Sequence, residues 1–355
     1  MKKLLGLVLL MLLVCGRLSV GALAAGGTGW VYDEEYDCWY YYKADGTPYN
    51  GILVQDGSRF LISDGLMLTG QAWLDTDGDG VDEGYFLDEN GVMQTGWVEC
   101  GQAYDGTPFY GWYGSDGRGY EGWWRQADGW HFYCGGYPSI GVSYLMDDGP
   151  YGFDTKGVMV TGWFQQFYDD GSYDWYYFDE DGRGHIGWLW EDGDWYYINN
   201  GMMYTGLWEI DGVLYCFRDD GRLVTRDWML MEPRWAEEDV GARWYFFNAD
   251  GSARTGWVHG WSYWYYCENG VMVENDFRRV NGYLYYLGEG GVMHTGWQLI
   301  GGEWYFFDAE GAGFTGWRKA GGDWYYCSDG WMYCDGVYRI DGVDYVFDSS
   351  GAWIG

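Results

Sequence analysis

The sequence predicts an all-β chain, a solenoid of β-hairpins in repeats of about 20 residues, and three observations predict it. The first is a fixed step: Trp244, Trp264, Leu284, Trp304, Trp324 and Asp344 each follow the last by 20 residues, and Trp175 and Trp195 keep the same step upstream. Units this short bury too little surface to fold alone and must stack on their neighbours. The second is composition: the 355 residues include 62 Gly, 26 Trp and 36 Tyr but only 5 Pro, so glycine supplies turns while rings supply core and surface. The third is what is missing: Ala and Leu are sparse after the first 25 residues, and no stretch keeps a helical period. The length would accommodate two or three ordinary domains, but the repeat argues for one array over residues 25–355.

The first 24 residues differ from the rest. Lys2 and Lys3 precede an apolar run from Leu4 to Val14, and Ala22-Leu23-Ala24 fits a small-x-small cleavage site. This predicts a secretory signal peptide over 1–24 and a secreted product. Cys15 offers a lipoprotein site as an alternative, although Val14 fits poorly before it. The run is short for an anchor that spans a bilayer.

Next along the chain, Asp75-Thr76-Asp77-Gly78-Asp79-Gly80 resembles the start of a calcium loop, with alternate carboxylates at Asp75, Asp77 and Asp79 and Gly at the sixth place. The twelfth place is Phe86, where that loop needs Glu, and no helices flank it. An extended hairpin connection is the better reading, with calcium as the alternative ligand. Residues 98–155 are degenerate, with Pro108, Pro138 and Pro150, and read as an irregular insertion. Residues 164–174 add about five residues to one period and 226–243 about ten, so both are expected to emerge as loops.

The unit Trp195-Tyr196-Tyr197-Ile198-Asn199-Asn200-Gly201-Met202-Met203-Tyr204-Thr205-Gly206 reads as an aromatic strand, an Asn-Gly turn and a second strand carrying Met203. Other turns are Asp179-Glu180-Asp181-Gly182, Asn248-Ala249-Asp250-Gly251 and Asp308-Ala309-Glu310-Gly311, and Thr-Gly-Trp recurs at Thr95, Thr161, Thr255, Thr295 and Thr315. A lone hairpin is marginal in water, so roughly 14 or 15 of them should stack. The last unit, Tyr338 to Phe347, lacks the repeat Trp, as a capping repeat does.

The formal charge of −34 falls to −37 once Lys2, Lys3 and Arg17 leave with the signal. That disfavours nucleic acid and anionic membrane as partners and suits a cation, although acidic turns also simply keep an aromatic-rich chain soluble. Of 8 cysteines, Cys15 lies within the signal, leaving an odd number, so at least one thiol is unpaired. Cys267 and Cys327 stand three residues after the repeat Trp, where other copies carry Phe or Ile, and read as small apolar core residues. Cys327 and Cys334 could bridge one hairpin.

The combination of Trp-Tyr-Tyr, an Asp/Asn-Gly turn, Gly-x-Met and Thr-Gly-Trp resembles the cell-wall-binding repeat of Gram-positive surface proteins. That family includes choline-binding modules and shades into glucan-binding and clostridial toxin repeats. The resemblance implies a left-handed solenoid whose neighbouring hairpins form aromatic cages, often closed by Met, that hold the choline of teichoic acid. A quaternary ammonium cannot donate a hydrogen bond, so a box of rings suits it. The same rings could instead stack on sugar faces. Carried onto this chain, the cages pair Trp188 with Trp195, Trp257 with Trp264, Trp297 with Trp304 and Trp317 with Trp324, with Met203, Met272, Met293 and Met332 at the Gly-x-Met positions. A third aromatic wall is expected from an adjacent repeat. Each Trp could equally be core, since a stacked hairpin must bury rings somewhere.

Catalysis finds little support. The four His, at 131, 185, 259 and 294, stand in no nucleophile motif, and most carboxylates lie in turns. Family members with activity carry it on a separate domain. The expected function is non-catalytic, multivalent binding to the cell wall, with choline as ligand, a glucan or other surface polysaccharide as alternative, and an adhesin contacting host protein as a third class. No cofactor is expected.

Overall fold

A computed structural model describes residues 28–145, 149–232, 241–260 and 262–355, so the expected signal peptide lies outside the described residues. Two compact units divide the chain, one reaching to His185 and including Asn200–Met202, the other holding Ile186–Asn199 and Met203–Gly355. The described residues are almost wholly β: seven hairpins follow one another in the first unit and eight in the second. This is the predicted all-β hairpin solenoid.

The main strand pairing differs from the one the repeat suggests. Where Thr-Gly-Trp occurs, its Gly opens the first strand of a hairpin, and the aromatic run is the second. Gly296–Ile300 pairs with Glu303–Phe307, and Gly316–Ala320 with Asp323–Ser328. The turns between them are two residues long, as in Asp192-Gly193 and Asp211-Gly212, with both residues at positive φ (51° and 90°, 52° and 77°). That backbone matches the twist of the flanking strands and explains Asp-Gly, Asn-Gly and Gly-Gly there. The turn expected to form the hairpin instead leads into a strand of two residues. Val271–Met272 pairs with Cys267 and Glu268 on its own hairpin and also meets Tyr245 of the previous one. Hairpins 228–231/243–246 and 256–259/264–268 thus join into one five-stranded sheet, as do 296–300/303–307 and 316–320/323–328.

Residues 98–155 are irregular in sequence but still fold as hairpins where described, with Pro108 and Pro150 opening strands Pro108–Tyr113 and Pro150–Phe153. The first residue of a strand is where proline is tolerated. The extra residues of 164–174 lengthen the turn between Gly162–Phe167 and Tyr173–Phe178 without disturbing the pairing below it.

One core position recurs through the repeats, three residues after the strand-opening position. Phe217, Phe247, Phe307 and Phe347 are at most 2% exposed in the second unit, and Cys267 and Cys327 fill the same place fully buried. Each buried Phe contributes about 1.5–3 kcal/mol of transfer free energy. All seven cysteines from Cys38 onward are free thiols, including Cys327 and Cys334. Among the described residues no helix is long and apolar enough to cross a membrane.

Candidate functional site

Antiparallel pairing fixes which rings share a face. Trp188 stands opposite Tyr197, and Trp190 opposite Trp195, so these four side chains project from one side of the hairpin. Trp188 and Trp195 are diagonal neighbours and meet edge to face, 6.3 Å apart at 89°. Trp257 and Trp264 repeat this at 6.4 Å and 89°, and Trp297 and Trp304 at 6.3 Å and 84°. Such a right angle leaves two walls of a corner, with the face of one ring directed across the edge of the other.

The third wall, unassigned from sequence, comes from the next hairpin. Tyr215 lies 4.9 Å from Trp188, Tyr285 lies 4.8 Å from Trp257 and Tyr325 lies 5.6 Å from Trp297. Each comes directly after the strand-opening position of its repeat, held by Leu214, Leu284 and Trp324, and on the opposite strand face from that residue. It therefore faces back onto the preceding corner. Within the hairpin, Tyr197, Tyr266 and Phe306 add a fourth ring 5.0–5.2 Å from the first Trp.

Trp317 and Trp324 depart from this pattern. Trp317 is enclosed by Tyr326, Tyr345, Phe347 and the terminal Trp353, at 5.3, 4.9, 5.8 and 5.8 Å. Tyr345 and Phe347 stand here as Tyr215 and Phe217 stand at Trp188, so Trp353 is the ring this corner adds. In all four pairs the first Trp is half-buried, and the second stays 42–44% exposed. None is core in the full sense.

Three further corners escaped the sequence reading. Trp30 and Trp39 meet at 6.3 Å and 90° with Phe60 as third wall, Trp123 and Trp130 at 6.4 Å and 89° with Tyr151, and Trp163 and Trp175 at 6.2 Å and 89°. Thr28-Gly29-Trp30 carries the intact signature, but Trp39 and Trp175 follow nine and twelve residues after their partners. A spacing of seven was too strict a rule for these two, because turn length varies while the register beside the turn does not, whereas Trp123/Trp130 keeps the spacing inside the segment read as irregular.

The methionines lie where the turn of the next repeat comes closest. A Cβ built on Gly221, Gly291 or Gly311 would fall 2.2, 2.6 or 2.4 Å from the sulfur of Met203, Met272 or Met293, and one on Gly351 would fall 2.4 Å from Cε of Met332. These glycines thus serve both a positive φ (72–83°) and a close approach. Met332 is buried in a cluster with Phe306 and Cys327, against which Trp297 and Tyr325 pack.

Carboxylates lie near two of these corners. Burial raises the Tyr215 and Tyr285 phenols above their usual range, and the charges of Asp250 and Asp211 on the first and Asp308 on the second add to it. Both phenols therefore stay neutral at physiological pH, with carboxylates close enough to favour a cation.

The other sequence signals resolve differently. Asp75, Asp77 and Asp79 come together with Glu83, their ligand oxygens all within 4.8 Å of one another. Asp75 accepts hydrogen bonds from the Gly78 and Gly80 amides, at 2.5 and 3.0 Å. The Arg118 guanidinium lies 3.0 Å from Asp77 and 3.6 Å from Glu83, answering part of the charge. His131 and His185 are tied to Asp128 and Asp179, at 3.1 and 2.8 Å.

Comparison with known proteins follows the same lines. Residues 294–332 match the family model described as a choline-binding repeat, and 28–47 and 186–201 match the putative cell wall binding repeat. Glucosyltransferase-S of Streptococcus mutans is 27% identical over 184 residues, which is 45% of this chain and 12% of that protein's length. The structure of choline binding protein F from Streptococcus pneumoniae, in the presence of a peptidoglycan analogue, is 24% identical with a TM-score of 0.36, covering 93% of this chain and 99% of that one. The choline-binding domain of CbpL from the same species is 25% identical with a TM-score of 0.38, covering 55% and 98%. The matched segments cover four of the described hairpins, at 29–33/38–42, 187–191/194–199, 296–300/303–307 and 316–320/323–328, and these four are similar to repeats of the choline-binding or cell-wall-binding type.

Proposed function

We propose that this protein is exported and holds choline-bearing wall polymer through three-ring corners, without catalysis of its own. The observation that carries the reading is the half-exposed right-angle Trp pair with a third ring from the next hairpin, with carboxylates near two of the three sites. Trp188, Trp195 and Tyr215 form one such site, Trp257, Trp264 and Tyr285 a second, and Trp297, Trp304 and Tyr325 a third. Met203, Met272, Met293 and Met332 support these walls by fixing the next turn. The reading requires no metal.

Each ring contributes about 1–2 kcal/mol to a partly desolvated quaternary ammonium. Three rings, less the cost of immobilising a small ligand, give a dissociation constant on the order of 1 mM per site. Several such sites on one chain raise the retention on a polymer far above that of one. The test is sedimentation with purified cell walls. Retention on choline-bearing walls, lost on walls whose choline is replaced by ethanolamine, supports the proposal. Equal retention on both walls excludes it.

A second reading, a surface polysaccharide as ligand, has one specific observation behind it. Trp97 lies parallel to Trp124, 5.5 Å away at 17°, and is 51% exposed. A flat indole with one open face suits a sugar ring. Release of wall-bound protein by oligosaccharide and not by choline would favour this reading.

A further inference from the structure

We infer that the residue facing the exposed tryptophan across each hairpin decides whether that corner admits a cation, and that Lys319 and Arg125 close theirs. This rests on the cation-binding reading of the corners. Register places one side chain of the first strand directly opposite the exposed Trp, on the same face: Trp190 opposite Trp195, His259 opposite Trp264, Leu299 opposite Trp304, Lys319 opposite Trp324 and Arg125 opposite Trp130. Directly opposed side chains on one face are near enough to interact.

In two of these hairpins the opposed residue is itself a cation aimed at the ring. Lys319 Nζ lies 5.8 Å from the Trp324 ring centre, and Arg125 Cζ 5.8 Å from that of Trp130. Both fall within the distance at which the ring quadrupole attracts a cation. A quaternary ammonium entering either corner meets a ring already partnered and a like charge beside it. In the other three the opposed residue does the reverse: Trp190 adds a ring 5.2 Å from Trp195, His259 an imidazole 4.6 Å from Trp264, and Leu299 an uncharged side chain. Arg318 lies on the opposite strand face from Lys319 and bears on a different corner: it stands opposite Tyr325, the third wall at Trp297, and lies 3.9 Å over Phe306, the fourth ring there.

Corners with the same seven-residue Trp spacing therefore separate into open ones, at Trp188/Trp195 and Trp257/Trp264, and closed ones, at Trp317/Trp324 and Trp123/Trp130, with Trp297/Trp304 between them, its exposed ring free and its inner ring partnered by Arg318. Like charges about 6 Å apart in a half-exposed site shift affinity by roughly tenfold.

The experiment is equilibrium dialysis of the whole mature chain against labelled choline, comparing wild type, Lys319→Met and Leu299→Lys. Met keeps the aliphatic length of Lys without its charge, and both positions are exposed, so the fold is retained and is checked by the melting transition. The expected result is one additional site, or one strengthened about tenfold, in Lys319→Met, and one weakened about tenfold in Leu299→Lys. Choline binding in the wild type that neither substitution changes overturns the gating inference and leaves the cation-binding reading standing. Absence of choline binding in the wild type overturns the reading itself, and the inference with it.

Discussion

Replacing Trp264 by alanine removes the exposed wall of one corner and should cost that corner most of its affinity while sparing the others. Trp264 meets Trp257 at right angles, 6.4 Å away, and is 44% exposed. The ring lost is one of three, so about 1–2 kcal/mol of cation–π and contact energy goes with it. That corresponds to a five- to thirtyfold rise in the dissociation constant of one site, taking ~1 mM out of the usable range. A half-exposed indole buries on the order of 100 Å², worth about 2.5 kcal/mol, so the hairpin loosens but its fully buried Cys267 remains in place. The assay is choline stoichiometry by equilibrium dialysis, with Tyr263→Ala as control. Tyr263 is 56% exposed and belongs to no corner, although it is one residue away. Loss of one site in Trp264→Ala and none in Tyr263→Ala is the expected pattern. Unchanged stoichiometry and affinity in Trp264→Ala would refute the reasoning, since this ring could then not be a wall.

Other consequences can be checked separately. The double substitution Trp297→Ala, Trp304→Ala should weaken retention on cell walls partially, because other corners persist; complete release with the melting transition intact would contradict multivalent binding. Met293→Ala should lower stability by about 2 kcal/mol through the void left against Gly311, while moving choline affinity at the Trp297 corner less than twofold; a thermal melt and a titration separate the two effects. Burial pushes the thiols of Cys216, Cys267 and Cys327 up to about 12. A thiol-specific reagent at pH 8 should therefore modify the exposed Cys134 first and reach these three only after unfolding. The same shifts place stability below pH 9 that is lost as the pH rises toward 12, because the unfolded chain ionises these thiols first.

How far the sequence could be read depended on what each signal encodes. The 20-residue step reports stacking, so the all-β hairpin array was legible, as was the core role of Cys267 and Cys327, which share a frame with Phe307 and Phe347. Strand pairing was not legible, because Asp192-Gly193 and Asn200-Gly201 are equally good tight turns with the same positive φ values, and both in fact form. Only the lengths of the strands they join distinguish them. Corners at fixed spacing, such as Trp257/Trp264, were found. Trp163/Trp175 was not, because a longer turn changes the count of residues and leaves Trp163 opposite Tyr177 all the same. The third wall needed the rotation between successive hairpins, which no single repeat encodes. Tyr215 and Tyr285 look in sequence like ordinary members of an aromatic strand. The same holds for Lys319, whose meaning comes only from standing opposite Trp324.

The central claim is that half-exposed aromatic corners bind a quaternary ammonium. Titration of the purified mature chain with choline, following tryptophan fluorescence and the melting midpoint together, tests it most directly. The account predicts saturable quenching on the order of 1 mM and a midpoint that rises with ligand, since choline binds the folded chain alone. No change in either signal up to concentrations about a hundredfold higher would contradict it.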